Sequence, residues 1–577
     1  MNRKLIWITT LAFILGAVLA VGPLPSDASA QAIVNGTITG DANEYVVLYT
    51  EGASLASARA AVKAVGGTII RENIQVGVAT VRTANANFVT AVSKQSALAG
   101  ASRNAPVGYA PQEVRAKNQE VEREGAAQPA TAGQRAQVAT ASPPPSAEPL
   151  ANLQWDMQMI NATVDGSYKV QPGDRRVLVG VLDTGIDGSH PDIAPNFNRE
   201  LSRNFTRDIE IIDGSCASDP DGSCSDPNDV DEDGHGTHVA STIAAPLNGL
   251  GIAGVAPNVT LVNLRAGQDS GYFFLQATVD ALTYAGDIGV DVVNMSYYID
   301  PWAFNCANNP ADSPDEQLEQ QTIIAATNRA LTYAHNHGVT LIAALGNGHT
   351  NYDQKSFDGS SPDFPPNTEH DRTITNGCLD MPTEGSHVLS ITAIGPSKTK
   401  ADYSNYGRSE ATVAAPGGYF RDGLGTPSYR TNENEILAAY PESVGRAAGD
   451  IDVNGNPTVD AVVRDCQGDV CAYYQYLQGT SMATPHAVGV AALIVSAYGT
   501  RDRAHPGGLT MDPDLVENYL RSSAVDTPCP NPRTVDYTLV GRPAEFNATC
   551  VGPVTRNSFY GDGIINALNA VRVRVDR

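Results

Sequence analysis

Three short stretches carry residue types that could do nucleophilic chemistry. They are Asp183 in Val181-Leu182-Asp183-Thr184-Gly185, His235 in Asp233-Gly234-His235-Gly236-Thr237-His238, and Ser481 in Gly479-Thr480-Ser481-Met482-Ala483-Thr484-Pro485-His486. A serine hydroxyl is a weak nucleophile until an adjacent base takes its proton. A carboxylate on the far ring nitrogen of a histidine base fixes its tautomer and stabilises the imidazolium. Each stretch alone also has a plainer reading: a turn after a strand for Asp183, and a helix cap for Ser481. His235 and His238 could form a zinc pair, but no third ligand is evident. An aspartic-protease reading of Asp-Thr-Gly would need a second such motif, and the sequence has none.

The elements around these residues are legible. Residues 176–182 form a continuous apolar strand that ends at Asp183, with Gly185 permitting the turn. The glycines flanking His235 let the backbone crowd a cleft, and a helix follows to about Ala245; His238 reads as structural. The run after Ser481 is apolar nearly all round to about Tyr498, so it predicts a buried helix stopped near Gly499, with Pro485 close to its first turn. Ser481 then sits at a helix N-terminus, where free N–H groups and the dipole favour developing negative charge. Further strands are expected over 259–264, 290–296, 339–345, 388–394 and 411–415, with helices over 272–286 and 317–337. Strands alternating with helices imply an α/β fold: a doubly wound, mostly parallel sheet with helices on both faces. In such sheets ligands sit beyond the carboxyl ends of the strands.

The three motifs, in the order Asp, His, Ser, resemble those of the subtilisin-like serine proteases, whose motif order and triad energetics are a standard worked case. The resemblance covers roughly residues 152–500 and, through Gly561-Asp562-Gly563-Ile564-Ile565-Asn566-Ala567, the end of the chain. It implies a subtilisin-like fold, with Ser481 as nucleophile, His235 as base and then acid, and Asp183 as the orienting carboxylate. Asn347, in Ala343-Ala344-Leu345-Gly346-Asn347, takes the oxyanion role; Leu345 departs from the family pattern. Ser296, Tyr297, Tyr298 and Gly346 fall where relatives bind the substrate, and the two tyrosines replace a usual Leu-Gly. Structural Ca²⁺ is implied at Asp192 and Asn248, places where relatives supply oxygen ligands. No catalytic cofactor is expected. The acidic residues 219–233 and 450–455 are further Ca²⁺ candidates, although the second lacks a closing Glu and reads better as a hairpin turn.

Residues 1–30 read as a secretory signal peptide: Arg3 and Lys4, an apolar run from Leu5 to Val21, then Ala28-Ser29-Ala30. The chain is expected to be extracellular, with no membrane attachment after signal cleavage, and to act as a monomer. Acidic residues outnumber basic ones by 63 to 38, which disfavours nucleic-acid binding through a basic field. Eight cysteines in an exported chain suggest disulfides, and they fall in local couples: 216/224, 306/378, 466/471 and 529/550. Eight cysteines allow 105 pairings, so the couples are an expectation only. Residues 31–110 pattern as β-α-β-β-α-β, with the second helix over 88–98 and a last short strand at about Val107 to Tyr109, a small ferredoxin-like α+β module. The resemblance makes this module a propeptide acting in cis, with processing after about Tyr109 or before Asn152. Residues 111–150, rich in Ala, Gln, Glu and Pro, read as a solvated linker, with a long exposed helix over 112–125 as the alternative, and 151–577 as a peptidase domain with disulfide-tied insertions. The function implied is a secreted serine endopeptidase acting on protein or peptide substrates through an acyl-enzyme. Alternatives are a narrow precursor-processing protease and a non-catalytic protein-binding relative.

Overall fold

In a computed structural model of the chain, the described residues are 44–104, 121–125, 148–218, 222–364 and 368–572. The expected signal peptide, the strand expected at Val107 to Tyr109 and most of the linker lie outside them.

The N-terminal module has strands β1 (Glu44–Tyr49), β2 (Gly67–Asn73), β3 (Val78–Thr83) and β4 (Leu98–Arg103), with helices α1 (Leu55–Ala64) and α2 (Phe88–Val92). All its ladders are antiparallel, in the order β2-β3-β1-β4. α2 is shorter than its pattern suggests. Val89 and Val92 are buried, but the polar run after them turns the chain, and Leu98 opens the edge strand against β1 instead. The sheet docks on two peptidase helices, α4 (Leu275–Ile288) and α5 (Pro314–Asn336). Asn73 Nδ2 donates to Asp280 Oδ1 at 2.9 Å, Thr80 Oγ1 to Gln276 Oε1 at 2.8 Å, and Arg103 pairs with Glu319 at 3.3 Å.

The central sheet has seven strands: β5 (Leu178–Leu182), β6 (Arg203–Asn204), β7 (Thr260–Arg265), β8 (Val292–Met295), β9 (Thr340–Ala344), β10 (Val388–Ile394) and β11 (Ala411–Pro416). Their spatial order is β11-β10-β9-β8-β5-β7-β6, and every ladder is parallel. Buried on both faces, β5 and β9 are runs of apolar or small residues rather than alternating ones, and β8 is apolar but for the buried Asn294. The register places Leu182 beside Met295 and Met295 beside Ala343. The residues that follow these strand ends, Asp183, Ser296 and Leu345-Gly346-Asn347, therefore emerge on one edge of the sheet.

Helix α3 (His235–Ala244) and helix α6 (Thr480–Tyr498) pack on one face, α4 and α5 on the other. α6 is the one described helix long and apolar enough to cross a membrane, and 89% of its apolar window lies buried inside the protein. A three-stranded antiparallel sheet, β12 (Ile436–Ala439), β13 (Val462–Gln467) and β14 (Val470–Leu477), leads into α6. The four local cysteine couples are all bonded: 216–224, 306–378, 466–471 and 529–550.

One stretch departs from its expected character. Residues 121–125 of the supposed solvated linker lie against the peptidase: Gln478 N donates to Glu122 O at 3.0 Å and Gln478 Nε2 to Val121 O at 2.8 Å. Glu124 joins Arg421 and Arg542 at 2.5 and 2.7 Å. The contacts are polar and long-range, so no apolar periodicity announces them.

Candidate active site

Asp183 ends β5, and His235 begins α3. Asp183 Oδ1 accepts from His235 Nδ1 at 2.7 Å and from the Thr184 amide at 2.8 Å. Asp231, which sequence reasoning passed over, ties the two motifs together. Its Oδ1 accepts from Thr184 Oγ1 (3.1 Å) and Gly234 N (2.9 Å), and its Oδ2 from Thr237 N (2.9 Å) and Thr237 Oγ1 (2.6 Å). The approach is so close that a Cβ on Gly236 would run into the Gly185 carbonyl. This is the packing reason for the glycine after His235.

Ser481 is the second residue of α6, so its amide has no acceptor within the helix. Pro485 stands inside the helix rather than in its first turn. That position has a cost elsewhere in a helix, because proline withholds the N–H that would bond the carbonyl four residues back. Here the carbonyl so released is that of Ser481, and Ser296 Oγ donates to it at 3.1 Å. Asn294 Nδ2 in turn donates to Ser296 Oγ at 3.0 Å.

Asn347 is held by its oxygen, which accepts from Thr480 N (2.9 Å) and Thr480 Oγ1 (2.8 Å). Its Nδ2 is thereby turned into the cleft, where Glu122 Oε1 lies at 3.5 Å. Gly346, at φ +98°, makes the left-handed bend that a side chain would resist, and its amide donates to Thr480 Oγ1 at 3.1 Å.

These groups line one cavity of about 1000 Å³. Glu122 reaches into it: its carboxylate lies 3.7 Å from His235 Nε2 and 3.5 Å from Asn347 Nδ2 and interacts with Ser481, whose Oγ donates to the Ser296 carbonyl at 3.4 Å. Burial opposes charge on His235, but the Asp183 and Glu122 carboxylates outweigh it and hold the imidazole well above its ordinary pKa. Burial likewise works against the Glu122 carboxylate, and His235 and Ser481 override it, so its pKa falls below the usual range.

His238 makes no metal contact with His235. Burial pushes its pKa down to about 3, and its Nε2 lies 3.0 and 3.2 Å from the Gln475 and Ile436 carbonyls. Tyr297 is buried and stacks on Phe273 with ring centroids 4.1 Å apart, while Tyr298 bonds Asp363 at 2.5 Å. Both rings line the cavity and are anchored from behind.

Asp192 and Asn248 do come together, but not as cation ligands. Asn248 presents its Nδ2 to Asp192 Oδ1 at 3.2 Å, and Asp192 Oδ2 accepts from Ile252 N and Tyr474 Oη at 3.1 and 3.0 Å. The same loop gives the Gly249 amide to Glu148 at 2.7 Å and the Gly251 amide to Asp465 at 2.9 Å. A Ca²⁺ site needs converging oxygens, whereas this loop converges N–H donors on carboxylates, so the pair does not fit the ion. Burial pushes Asp192 up to about 8, in keeping with a hydrogen-bonded acid. Within the acidic insertion, Asp226 joins Asp208 and Asp269 around the buried Arg265 guanidinium, one positive charge shared among three carboxylates. Asp452 caps its own turn, accepting from Asn454 N (2.8 Å) and Asn456 N (2.7 Å) as a hairpin would.

A parallel α/β sheet with a carboxylate, an imidazole, a helix-terminal serine and an amide donor gathered at one edge belongs to the class of serine hydrolases built on open sheets. Residues 174–561 match the sequence model of the Subtilase family, and the chain belongs to that family of serine-type endopeptidases. Among curated relatives, subtilisin DY of Bacillus licheniformis is 27% identical over 61% of this chain and 84% of its own length. The nisin leader peptide-processing serine protease NisP of Lactococcus lactis is 25% identical over 61% of this chain and 45% of its own length. Several other relatives are matched over only about half their length, 53% to 56%. Two solved structures share the fold. The epidermin leader peptide processing serine protease EpiP of Staphylococcus aureus has a TM-score of 0.58 at 20% identity, covering 92% of this chain and 99% of that one. Fervidolysin of Fervidobacterium pennivorans has a TM-score of 0.55 at 20% identity, covering 92% and 61%.

Proposed function

We propose that the chain is an exported serine endopeptidase that cleaves peptide bonds through an acyl-enzyme on Ser481. Ser481 Oγ attacks the scissile carbonyl carbon while His235 Nε2 takes the hydroxyl proton. Asp183, on the opposite ring nitrogen, keeps the reactive tautomer and stabilises the imidazolium. Charge developing on the carbonyl oxygen is met by Asn347 Nδ2 and the free Ser481 amide. The imidazolium then protonates the leaving amine, and a water repeats the sequence to release the acid.

The observation that carries this reading is the seat of the Glu122 carboxylate. One group of that size contacts His235, Ser481 and Asn347 together. Base, nucleophile and oxyanion donor therefore converge on a volume that fits a carboxyl-like carbon and its oxygens. Glu122 also supports a propeptide role: residues 44–104 dock on α4 and α5 while residues 121–125 fill the cleft, so the chain's own N-terminal part shuts the enzyme until it is cut. Four disulfides fit an oxidising, extracellular setting.

Ser481→Ala tests the catalytic assignment. The variant should fold with an unchanged circular dichroism spectrum and hydrolyse a mixed peptide library at least about 10⁴-fold more slowly than the wild type. Hydrolysis within a few-fold of wild type would overturn it.

A further inference from the structure

The wall of the cavity beside the oxyanion donors holds a buried acid that the hydrolytic reaction does not use. Asp380 is 6% exposed and lines the cavity. It lies near the bend at Gly346, where a Cβ would meet the Asn405 amide at 2.5 Å and sit 3.8 Å from Asp380 Oδ2. Tyr352 Oη, which also reaches the Leu345 carbonyl at 3.1 Å, occupies Oδ2 at 2.6 Å. Asp380 Oδ1 is buried with no hydrogen-bond partner.

The cations nearby are already committed. Lys355 Nζ is bound by Glu384 and by the Cys378 carbonyl at 2.7 Å. Arg372, the other buried cation of this insertion, is shared between Asp312 and Asp358 at 2.9 and 2.8 Å. Lys355 therefore neutralises one of two neighbouring carboxylates, and Asp380 is the one left over. An uncompensated buried carboxylate is costly unless a cation meets it. Consistent with this, burial, reinforced by Glu384, pushes Asp380 up to about 8.

When a peptide carbonyl sits on Asn347 Nδ2, the side chain of the residue that owns that carbonyl enters the space flanked by Gly346. With no side chain on Gly346, the wall at this point is made by the Asn405 amide and the Asp380 carboxylate. The rings of Tyr297 and Tyr298 and the small Ala344 and Thr383 supply further lining, suited to the aliphatic stem of a long cationic side chain.

We propose that Asp380 makes this cavity select arginine or lysine immediately before the scissile bond, its free Oδ1 receiving the guanidinium or ammonium group. The inference rests on the reading of Ser481 as nucleophile, and it makes the enzyme a narrow rather than a broad protease. A neutral side chain would leave Asp380 unpaired, which a site built for a polar partner penalises strongly.

The test uses the enzyme produced from the full chain and four fluorogenic peptides that differ only in carrying arginine, lysine, citrulline or leucine before the scissile bond. The expected kcat/KM for arginine exceeds that for citrulline, its uncharged near-isostere, on the order of 10²-fold or more. In Asp380→Asn the ratio of arginine to leucine hydrolysis should collapse toward one. Equal rates on arginine and citrulline overturn the assignment without need of any variant. So does a D380N enzyme that slows on all four peptides in proportion. Either result, obtained from an enzyme that hydrolyses some of the peptides, leaves the Ser481 reading intact; it is loss of hydrolysis in Ser481→Ala that tests that reading separately.

Discussion

At Asn347 one side chain is used from both ends. Its oxygen is pinned by Thr480, so its nitrogen faces the cleft with little freedom left to lose during the reaction. Asn347→Ala should therefore lower kcat about 10²–10³-fold with little change in KM, because the lost interaction is made only in the transition state; steady-state kinetics on one peptide substrate checks this. In the sequence, Asp183 stands at the end of an apolar run and Ser481 at the start of one, whereas His235 was marked by its flanking glycines and Asn347 by the family resemblance. Asp231, Glu122 and Asp380 carried no such mark. Asp231 looked like one more acid in an acidic insertion, and its meaning lies in donors from two separate motifs. Asp192 and Asn248 show the opposite failure: the residues sit together as expected, but N–H groups rather than oxygens surround them. Residue type alone does not reveal which way an amide or a loop backbone points.

At the scale of elements, two joints position the chemistry. The first is Asp231 between the β5 turn and the start of α3. Asp231→Ala would strand four buried donors, so it should cost about 2–4 kcal/mol of stability and loosen His235 against Asp183. A lower melting temperature together with a reduced kcat is the expected result. The second joint is the 121–125 segment in the cleft. The raised His235 pKa means that the His235–Glu122 pair is fully present below the ordinary imidazole pKa and is lost as pH rises through the raised value. The lowered Glu122 pKa means that it is lost again only in acid, below the ordinary carboxylate range. Displacement of the segment should accordingly be slowest near pH 5–6 and faster toward alkaline pH. Glu122→Gln should speed it about 10-fold at neutral pH, as followed by the appearance of the processed form on gels. Strand and helix positions in the peptidase were legible because burial on both faces makes apolar runs continuous. The shortened α2 was not, since the edge-strand pairing of Leu98 depends on β1, which lies far away in sequence.

Over the whole molecule, the insertions are closed by bonds of very different span. Cys306–Cys378 closes 72 residues, a loop that carries Lys355 and the Arg372 network, whereas Cys466–Cys471 closes only 5. Chain-entropy arguments make the longer loop worth about 2 kcal/mol more. Cys306→Ala with Cys378→Ala should thus lower the thermal midpoint distinctly more than Cys466→Ala with Cys471→Ala, a difference that calorimetry resolves. The parallel sheet, the ferredoxin-like module and the order of the motifs could be read from pattern. How the N-terminal part meets the peptidase could not, because the apolar face of its sheet (Val46, Leu48, Val78) and polar pairs such as Asn73 with Asp280 and Glu124 with Arg542 meet partners far away in sequence. Together these contacts lay residues 121–125 across the cleft that holds His235, Asn347 and Ser481. The most direct measurement is labelling of the processed enzyme with a serine-directed phosphonylating reagent, followed by peptide mass mapping. The account predicts a single adduct on Ser481 that disappears in Ser481→Ala and forms far more slowly in His235→Ala. An adduct on another residue, or proteolysis that continues while Ser481 stays unlabelled, would contradict it.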